Sequence, residues 1–191
     1  MISHPVNSGW IEVVCGPMFS GKTEELIRRM RRAHIAKQRV AIFKPKTDDR
    51  YSKDSIVSHN REKIPSIMVE TPKQILEMSY EAQVIGIDEA QFFDETLLAV
   101  AKKMANGGKR VIVAGLDKDY TGQPFGIMPL LLTEAEYVTK ELSICMSCGS
   151  PANFSQRLSS ETSQVAVGEK DKYEARCRRC FQPDPESRNL F

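Results

Sequence analysis

The sequence contains no run of about 18 apolar residues, the length from which a membrane-spanning helix is predicted. Residues 1–9 carry neither a basic start nor an apolar core, so a secretory signal peptide is not predicted. Charge of one sign is not in excess either, since 27 basic and 25 acidic residues give a formal net charge of +2. A chain with this balance lacks the excess of basic residues that non-specific binding of nucleic acid requires. We therefore expect a cytoplasmic protein without a membrane or nucleic-acid partner.

Cysteine is scarce, and its five copies are unevenly placed. Cys15 stands alone at the end of an apolar stretch, where a buried thiol acts as a small hydrophobic side chain. The other four form two C-x-x-C pairs, Cys145/Cys148 and Cys177/Cys180, separated by 28 residues. In a reducing compartment such pairs favour metal binding over disulfides. Four thiolates presented by two turns predict a structural Zn²⁺ site with no open coordination position.

A G-x-x-x-x-G-K-[ST] motif lies between an apolar, β-branched stretch (10–15) and a stretch of helix formers (23–37). Strand, glycine loop and helix are the context in which this motif binds phosphate, because loop N–H groups and the helix start attract anions. Lys22 is expected to reach the β- and γ-phosphates, and the Thr23 hydroxyl to ligate Mg²⁺. The motif comprises Gly16, Pro17, Met18, Phe19, Ser20, Gly21, Lys22 and Thr23.

A second apolar stretch, 83–87, ends in Asp88 and Glu89. This is the form of a Walker B element, whose aspartate holds the Mg²⁺ of a bound nucleotide. Glu89 stands where a general base is expected, close to the γ-phosphate and to the attacking hydroxyl. Acidic residues often end strands, but the combination with the upstream glycine loop favours the functional interpretation.

Apolar strands alternate with helical segments along the chain as far as Ile144. This alternation predicts a doubly wound α/β fold of the P-loop NTPase type (RecA-like), with a parallel sheet and helices on both faces. We expect a nucleotide-binding domain of residues 1–144 and a small zinc-ribbon domain of residues 145–191. Strands are predicted at 10–15, 39–44, 56–58, 64–69, 83–87, 109–116 and 137–144, and helices at 23–37, 72–80, 92–104 and 128–132.

Three further segments leave alternatives open. Residues 44–53 form a polar loop just past a strand end, where ligands gather in open α/β sheets, although most polar loops are solvated surface. The apolar side chains of the loop 116–126 either wall a flat ligand or pack in the core. Between the cysteine pairs, 153–157 and 164–168 predict two short strands, which either close over a substrate or form a ribbon without further role.

The two Walker elements, the sequence Asp-Glu-Ala-Gln-Phe-Phe (88–93) and the two cysteine pairs occur in an order that resembles type II (cytosolic-type) thymidine kinases, over about residues 8–181. Residues 47–51, 116–117 and 124–126 also fall where that family has similar sequences. The resemblance implies ATP-dependent phosphorylation of the 5′-hydroxyl of thymidine to its monophosphate, in pyrimidine salvage for DNA synthesis. It also implies a homotetramer with thymidine triphosphate as feedback inhibitor.

The same resemblance implies roles for individual residues, with Glu89 as the base for the 5′-hydroxyl. ATP and Mg²⁺ are expected beside the glycine loop and beside Asp48, Asp49, Arg50, Asp88, Glu89, Ala90 and Gln91. Thymidine is expected beside Met18, Phe92, Leu116, Tyr120, Phe125, Ser155, Gln164, Val165, Ala166, Val167, Gly168 and Tyr173. The loop between the cysteine pairs resembles the family's lasso, which grips the base largely through its own backbone. Tyr120 departs from the phenylalanine common in some relatives.

A nucleic-acid-dependent P-loop ATPase with a zinc ribbon is the alternative, because Asp88 to Gln91 resembles the acidic box of helicases. Such helicases need two nucleotide-binding domains, whereas only about 140 residues precede the ribbon, and the charge balance also counts against nucleic acid. A regulatory nucleotide-binding module without catalysis is a third interpretation, but it leaves Glu89 without a purpose. Formation of a nucleoside monophosphate would separate the three.

Overall fold

The computed structural model describes residues 8–46, 65–158 and 172–183. Three groups of predicted features lie outside these described residues, namely the strand at 56–58 and the site residues at 48–50 and 164–168. The described helices are α1 (Lys22–Ile35), α2 (Pro72–Met78), α3 (Thr96–Asn106) and α4 (Met128–Glu134). The described strands are β1 (Trp10–Cys15), β2 (Val40–Pro45), β3 (Ser66–Val69), β4 (Val84–Ile87), β5 (Arg110–Gly115), β6 (Tyr137–Lys140), β7 (Ser143–Ile144), β8 (Pro151–Ala152), β9 (Phe154–Arg157) and β10 (Tyr173–Arg176).

Six of the described strands form one sheet in the order β3-β2-β4-β5-β1-β6, and every neighbouring pair is parallel. β1, β4 and β5 are rich in Val and Ile and almost wholly buried, as expected of strands covered on both faces. The predicted parallel α/β fold is confirmed. Because β5 lies between β1 and β4, the carboxyl ends of these three strands are neighbours at one edge of the sheet.

Helices cover both faces of the sheet, as predicted. α1 buries Leu26 and Met30 against one face, and full burial of one such side chain contributes about 1.5–3 kcal/mol. α2, α3 and α4 bury Ile75, Leu97 and Leu131 against the other face. Of the helices that the structure describes, none is long and apolar enough to cross a membrane. The packing of α1 fixes its amino end, and therefore the glycine loop, at the carboxyl end of β1.

α3 begins later than the sequence predicts, so the expected helix from Phe92 is wrong at its start. Residues Ala90–Phe92 form a short 3₁₀ turn, and α3 begins at Thr96. Ahead of α3, the Oδ1 of Asp94 accepts a hydrogen bond from the Thr96 N–H at 2.9 Å and so holds the turn that leads into the helix. Phe93 is buried in the core.

The predicted strand at 137–144 is also wrong in extent, because the structure has two strands there. β6 follows β1 as far as Lys140, and β7 then leaves the sheet to pair antiparallel with β8. β9 pairs antiparallel with β10, a strand that the sequence did not predict. The cysteine-bearing hairpins have a small core of their own, formed by Cys145, Ala152, Ala175 and Cys177. A domain boundary after residue 144 stays a prediction.

Candidate active site

The glycine loop has two positions at which only glycine fits easily. Gly16 has a φ of 148°, and a Cβ there would lie 2.2 Å from the carbonyl oxygen of Glu141. Gly21, immediately before α1, has a φ of 87°. Between them, Met18, Phe19 and Ser20 are partly or fully exposed. The backbone therefore turns from β1 into α1 with its tip open to a ligand and with the positive end of the helix dipole beneath it.

Lys22 folds back over the glycine loop. Its Nζ donates a hydrogen bond to the carbonyl oxygen of Pro17 at 2.7 Å, and Ser20 Oγ donates to the same oxygen at 2.8 Å. Burial lowers the pKa of Lys22, whereas the nearby carboxylates of Glu89 and Asp88 oppose that shift. The ammonium group is thus held against the backbone of the glycine loop.

Thr23 and Asp88 meet between the glycine loop and the end of β4. The Thr23 Oγ1 lies 3.1 Å from Asp88 Oδ2 and 3.2 Å from Asp88 Oδ1. Burial raises the pKa of Asp88 to about 6, and the neighbouring charge of Glu89 adds to this effect. A cation between the hydroxyl and the carboxylate would favour the ionised form of Asp88. Because Mg²⁺ prefers hydroxyl and carboxylate oxygens of this kind, the two side chains fit a magnesium site.

Glu89 adopts a left-handed backbone conformation, with φ 52° and ψ 40°. Such strain in a residue other than glycine is uncommon and clusters at functional sites. The Glu89 Oε2 accepts a hydrogen bond from Gln91 Nε2 at 2.5 Å, and Gln91 Oε1 accepts one from the Leu116 N–H at 3.0 Å. Gln91 therefore ties the Glu89 carboxylate to the end of β5. The carboxylate also opposes the lowering of the Lys22 pKa by burial, as that of Asp88 does.

Two pairs of the residues predicted to contact thymidine are in contact with each other. The rings of Phe92 and Phe125 pack edge to face, with centroids 5.7 Å apart. Ser155 Oγ, on β9, accepts a hydrogen bond from the Met18 N–H at 2.9 Å. The hairpin of β9 and β10, which Cys177 and Cys180 follow along the chain, therefore touches the glycine loop directly.

Tyr120 and Tyr173 meet through a residue that the sequence pattern did not select. The guanidinium of Arg157, on β9, lies over the Tyr120 ring and donates hydrogen bonds to the Tyr173 hydroxyl. Ser143 was missed as well, although its Oγ donates to the Phe19 carbonyl oxygen at 3.1 Å. No sequence motif marks either residue, because the partners lie far apart in the chain: Ser143 and Phe19 are separated by 124 positions, and Arg157 and Tyr173 by 16.

A second missed interaction lies at the end of β5. Lys140 Nζ pairs with Asp117 Oδ2 at 2.6 Å, and Lys118 Nζ lies 3.6 Å from the same oxygen. Asp117 is buried, and its Oδ1 has no hydrogen-bond partner among the described residues. The resemblance pointed to the dipeptide of Leu116 and Asp117 without assigning the aspartate a role. These contacts join the loop after β5 to the end of β6.

The four paired cysteines converge on one point. Their Sγ atoms all lie within 4.8 Å of one another, and those of Cys148 and Cys177 are 3.6 Å apart. A tetrahedral zinc site with Zn–S bonds of about 2.3 Å has sulfur atoms about 3.8 Å apart. Burial raises the pKa of the Cys145 thiol, but hydrogen bonds from backbone N–H groups outweigh it and lower the pKa to about 6. The Ser147 hydroxyl lowers the pKa of Cys180, but the neighbouring cysteines outweigh it and raise the pKa to about 11. Since a dication removes such repulsion between thiolates, the cluster fits Zn²⁺.

Comparison with known proteins identifies the family. Residues 9–181 match the family described as "Thymidine kinase". A thymidine kinase from Rhodothermus sp. (strain ITI 518) is 57% identical over 183 residues, which are 96% of this chain and 86% of that protein. The chain belongs to the thymidine kinase family. A second member, from Bacteroides thetaiotaomicron, is 53% identical over 173 residues, which are 91% of this chain and 87% of that protein.

Membership of the thymidine kinase family confirms the resemblance that the Walker elements and cysteine pairs indicated, and it does not favour the nucleic-acid-dependent ATPase. A more distant likeness is to the solved structure of the flagellar accessory protein FlaH from Methanocaldococcus jannaschii. The TM-score is 0.54 at 17% identity, over 76% of each chain. At that identity the likeness shows the α/β fold alone, because unrelated functions share such folds.

Proposed function

We propose that this protein transfers the γ-phosphoryl group of ATP to the 5′-hydroxyl of thymidine, for the salvage of pyrimidine nucleotides. The observation that carries the proposal is Glu89, which follows Asp88 directly and adopts a left-handed backbone conformation, in a chain of the thymidine kinase family. A regulatory module that only binds nucleotide would leave a carboxylate at this position without a purpose.

The phosphate side of the site supplies position and charge. Phosphoryl transfer depends on in-line alignment and on neutralising the charge of the equatorial oxygens, more than on covalent help from the protein. Lys22 and the loop N–H groups bind the β- and γ-phosphates of ATP, and Thr23 and Asp88 hold the metal. Mg²⁺, when bound, neutralises charge on those phosphates. Around them we place Asp48, Asp49, Arg50, Ala90 and Gln91, of which the first three lie outside the described residues.

On the thymidine side, Glu89 orients the 5′-hydroxyl and accepts its proton. A carboxylate is a suitable base here because it gains its proton only as the hydroxyl oxygen bonds to phosphorus. The base and sugar lie among Met18, Phe92, Leu116, Tyr120, Phe125, Ser155 and Tyr173, with 164–168 closing over them. Two contacts support this grouping: the Phe92–Phe125 ring pair and the hydrogen bond from Met18 to Ser155.

The zinc site has a structural role in this proposal. Zn²⁺ at Cys145, Cys148, Cys177 and Cys180 holds the hairpin of β9 and β10, from which the thymidine-closing loop extends. Four protein thiolates leave no position for substrate on the metal. We place these elements in a second domain of residues 145–191.

Four finer statements are proposed on the resemblance to the family. The protein forms a homotetramer, thymidine triphosphate inhibits it by feedback, it acts in the cytoplasm, and it has no nucleic-acid partner. The near balance of basic and acidic residues supports the last statement. Sedimentation of the purified protein and inhibition by thymidine triphosphate test the first two.

An acceptor assay tests the proposed function. The protein is incubated with ATP, Mg²⁺ and each of a panel of nucleosides, and the products are separated by chromatography. We expect thymidine monophosphate in the thymidine reaction and no stimulation of ATP hydrolysis by DNA. ATP hydrolysis that DNA stimulates, with no phosphorylated nucleoside, would support the nucleic-acid-dependent ATPase instead.

A further inference from the structure

Arg157 lies at a buried contact between the two parts of the proposed thymidine site. The side chain projects from β9, and the residue is only 7% exposed. Its Cζ lies 3.5 Å from the centroid of the Tyr120 ring, and its Nε and Nη2 donate to the Tyr173 hydroxyl oxygen at 3.1 Å and 2.7 Å. Tyr120 belongs to the loop after β5, whereas Tyr173 opens β10. One guanidinium therefore joins a loop of the α/β sheet to the zinc-bearing hairpin.

Both contacts depend on the planar shape of the guanidinium. Its flat face packs on the Tyr120 ring as a cation–π pair, and two N–H groups of the fork reach one oxygen. Because a guanidinium has donors and no acceptor, the Tyr173 hydroxyl accepts from Arg157 and must donate its own hydrogen elsewhere. Arg157 thereby fixes the Tyr120 ring and also the direction in which the Tyr173 hydroxyl donates.

We propose that Arg157 is a positioning residue for thymidine, which it acts on through Tyr120 and Tyr173. This inference rests on the proposed function, in which both tyrosines contact the nucleoside. The ATP side is built from other residues, Lys22 and Asp88 among them. Loss of the planar contact should therefore weaken thymidine binding and leave the interaction with ATP unchanged.

The variant Arg157→Lys tests the inference, because it keeps the positive charge and removes the flat face and the two-pronged donor. We expect the KM and the calorimetric Kd for thymidine to rise at least about tenfold, or about 1.4 kcal/mol. The KM for ATP and the zinc content should not change. The matched control is Arg176→Lys on β10, whose guanidinium pairs with Glu174 and whose replacement should leave thymidine binding unaltered.

A double-mutant cycle separates positioning from simple support of the fold. Tyr173→Phe removes the acceptor oxygen, and its effect on the thymidine Kd should combine less than additively with that of Arg157→Lys. If Arg157→Lys fails to fold, Tyr173→Phe and Tyr120→Leu, which keep the arginine, should each raise the thymidine Kd without raising the KM for ATP. Tyr120→Phe keeps the ring and should bind thymidine nearly as the wild type does.

Three results would overturn the inference. The first is an unchanged thymidine Kd in folded Arg157→Lys protein while the wild type phosphorylates thymidine, which would leave the proposed function standing. The second is additivity of the two substitutions, which would show that Tyr173 acts independently of Arg157. The third is a wild-type protein that forms no thymidine monophosphate, which would remove the proposed function and this inference together.

Discussion

At the scale of single residues, Glu89 combines strain with a defined set of contacts. A left-handed backbone costs an L-residue roughly 1–2 kcal/mol. Part of this is offset because the Glu89 N–H donates to Asp88 Oδ1 at 3.0 Å and its carbonyl oxygen accepts from the Phe92 N–H at 3.1 Å. The same turn lets the Glu89 carboxylate accept the hydrogen bond of Gln91, whose side chain is in turn bound to the backbone at the end of β5.

The substitution Glu89→Gln should lower kcat by about 10²- to 10⁴-fold, because an amide cannot accept the proton of the 5′-hydroxyl. Thymidine binding should change little, since the amide oxygen can still accept the hydrogen bond from Gln91. Steady-state kinetics and titration calorimetry measure the two quantities. Glu81→Gln, at an exposed position before β4, is the control with the same chemical change. Near-wild-type turnover of the Glu89 variant would remove it from the role of base.

Replacement of Lys22 by alanine should abolish phosphorylation while the protein remains folded. The described hydrogen bond of the ammonium group is to the Pro17 carbonyl oxygen. Loss of this side chain should therefore lower the stability of the fold only slightly, whereas it should greatly weaken the binding of the phosphates. Activity and the thermal midpoint measure the two effects, with Lys73→Ala as a control because that side chain is 82% exposed. A Lys22→Ala protein that is unfolded at room temperature would make the lysine structural.

Residues of the site differ in how far their sequence context predicts them. The motifs around Lys22 and Asp88 are local, so spacing alone predicted them, and the structure brings both side chains to one edge of the sheet. Arg157 and Ser143 are different, because their partners lie in distant segments and only the folded chain brings them together. Sequence patterns describe neighbours along the chain, whereas these contacts are set by tertiary packing.

At the scale of elements, the hairpin of β9 and β10 connects the four-cysteine cluster with the glycine loop. Its Ser155 accepts the hydrogen bond of the Met18 N–H, and Cys177 follows directly after β10. The helices and strands of the sheet have a separate and larger core. Loss of the metal should therefore disturb the hairpin before it disturbs the sheet.

Removal of zinc with a chelator should weaken thymidine binding at temperatures where the α/β core is still folded. Calorimetry of thymidine binding reports on the hairpin of β9 and β10, and circular dichroism of the helices reports on the α/β core. Addition of Zn²⁺ to the stripped protein should restore binding, which serves as the control for irreversible damage. Normal thymidine binding by zinc-free protein would contradict the proposed role of the hairpin.

The boundaries of helices and strands were predicted correctly where residues adjacent in the sequence determine them, and missed where contacts with distant segments determine them. α2 begins at Pro72 as expected, because Thr71 and Gln74 form a capping box there. α3 was placed too early, because Phe92 belongs to a separate 3₁₀ turn and the helix begins only at Thr96. β10 was not predicted because its sequence contains good helix formers, and its pairing with β9 sets its structure.

At the scale of the whole molecule, one buried carboxylate links the sheet to α1. Glu12 of β1 is 5% exposed and pairs with Arg29 of α1 at 2.7 Å and with Arg110 of β5 at 2.6 Å. Trp10 Nε1 donates to it at 2.7 Å. Although burial opposes the shift, the hydrogen bonds from Arg110 and Trp10 and the charge of Arg29 lower the pKa of Glu12.

This network predicts how stability responds to acid. Because the folded pKa of Glu12 lies below its unfolded value of about 4.3, its contribution is complete above that pH and is lost as the pH falls toward the folded pKa. Glu12→Gln should lower the free energy of unfolding at pH 7 by about 3 kcal/mol or more, and the loss should shrink at pH 3. Urea denaturation at several pH values measures this.

The control for the acid prediction is Glu77→Gln. Glu77 pairs with Lys73 on the surface of α2, where both side chains are well exposed, so its removal should cost no more than about 1 kcal/mol at any pH. A Glu12→Gln protein whose stability follows the wild-type pH profile in parallel would contradict the account of the network.

The most direct test of phosphoryl transfer to a nucleoside alcohol is a single-turnover reaction with ATP labelled at the γ-phosphate, with Mg²⁺ and thymidine. The account predicts that the label appears in thymidine 5′-monophosphate at one mole for each mole of ADP formed, and that 5′-deoxythymidine receives none. Label found only in inorganic phosphate, or transferred equally well when the 5′-hydroxyl is missing, would contradict it.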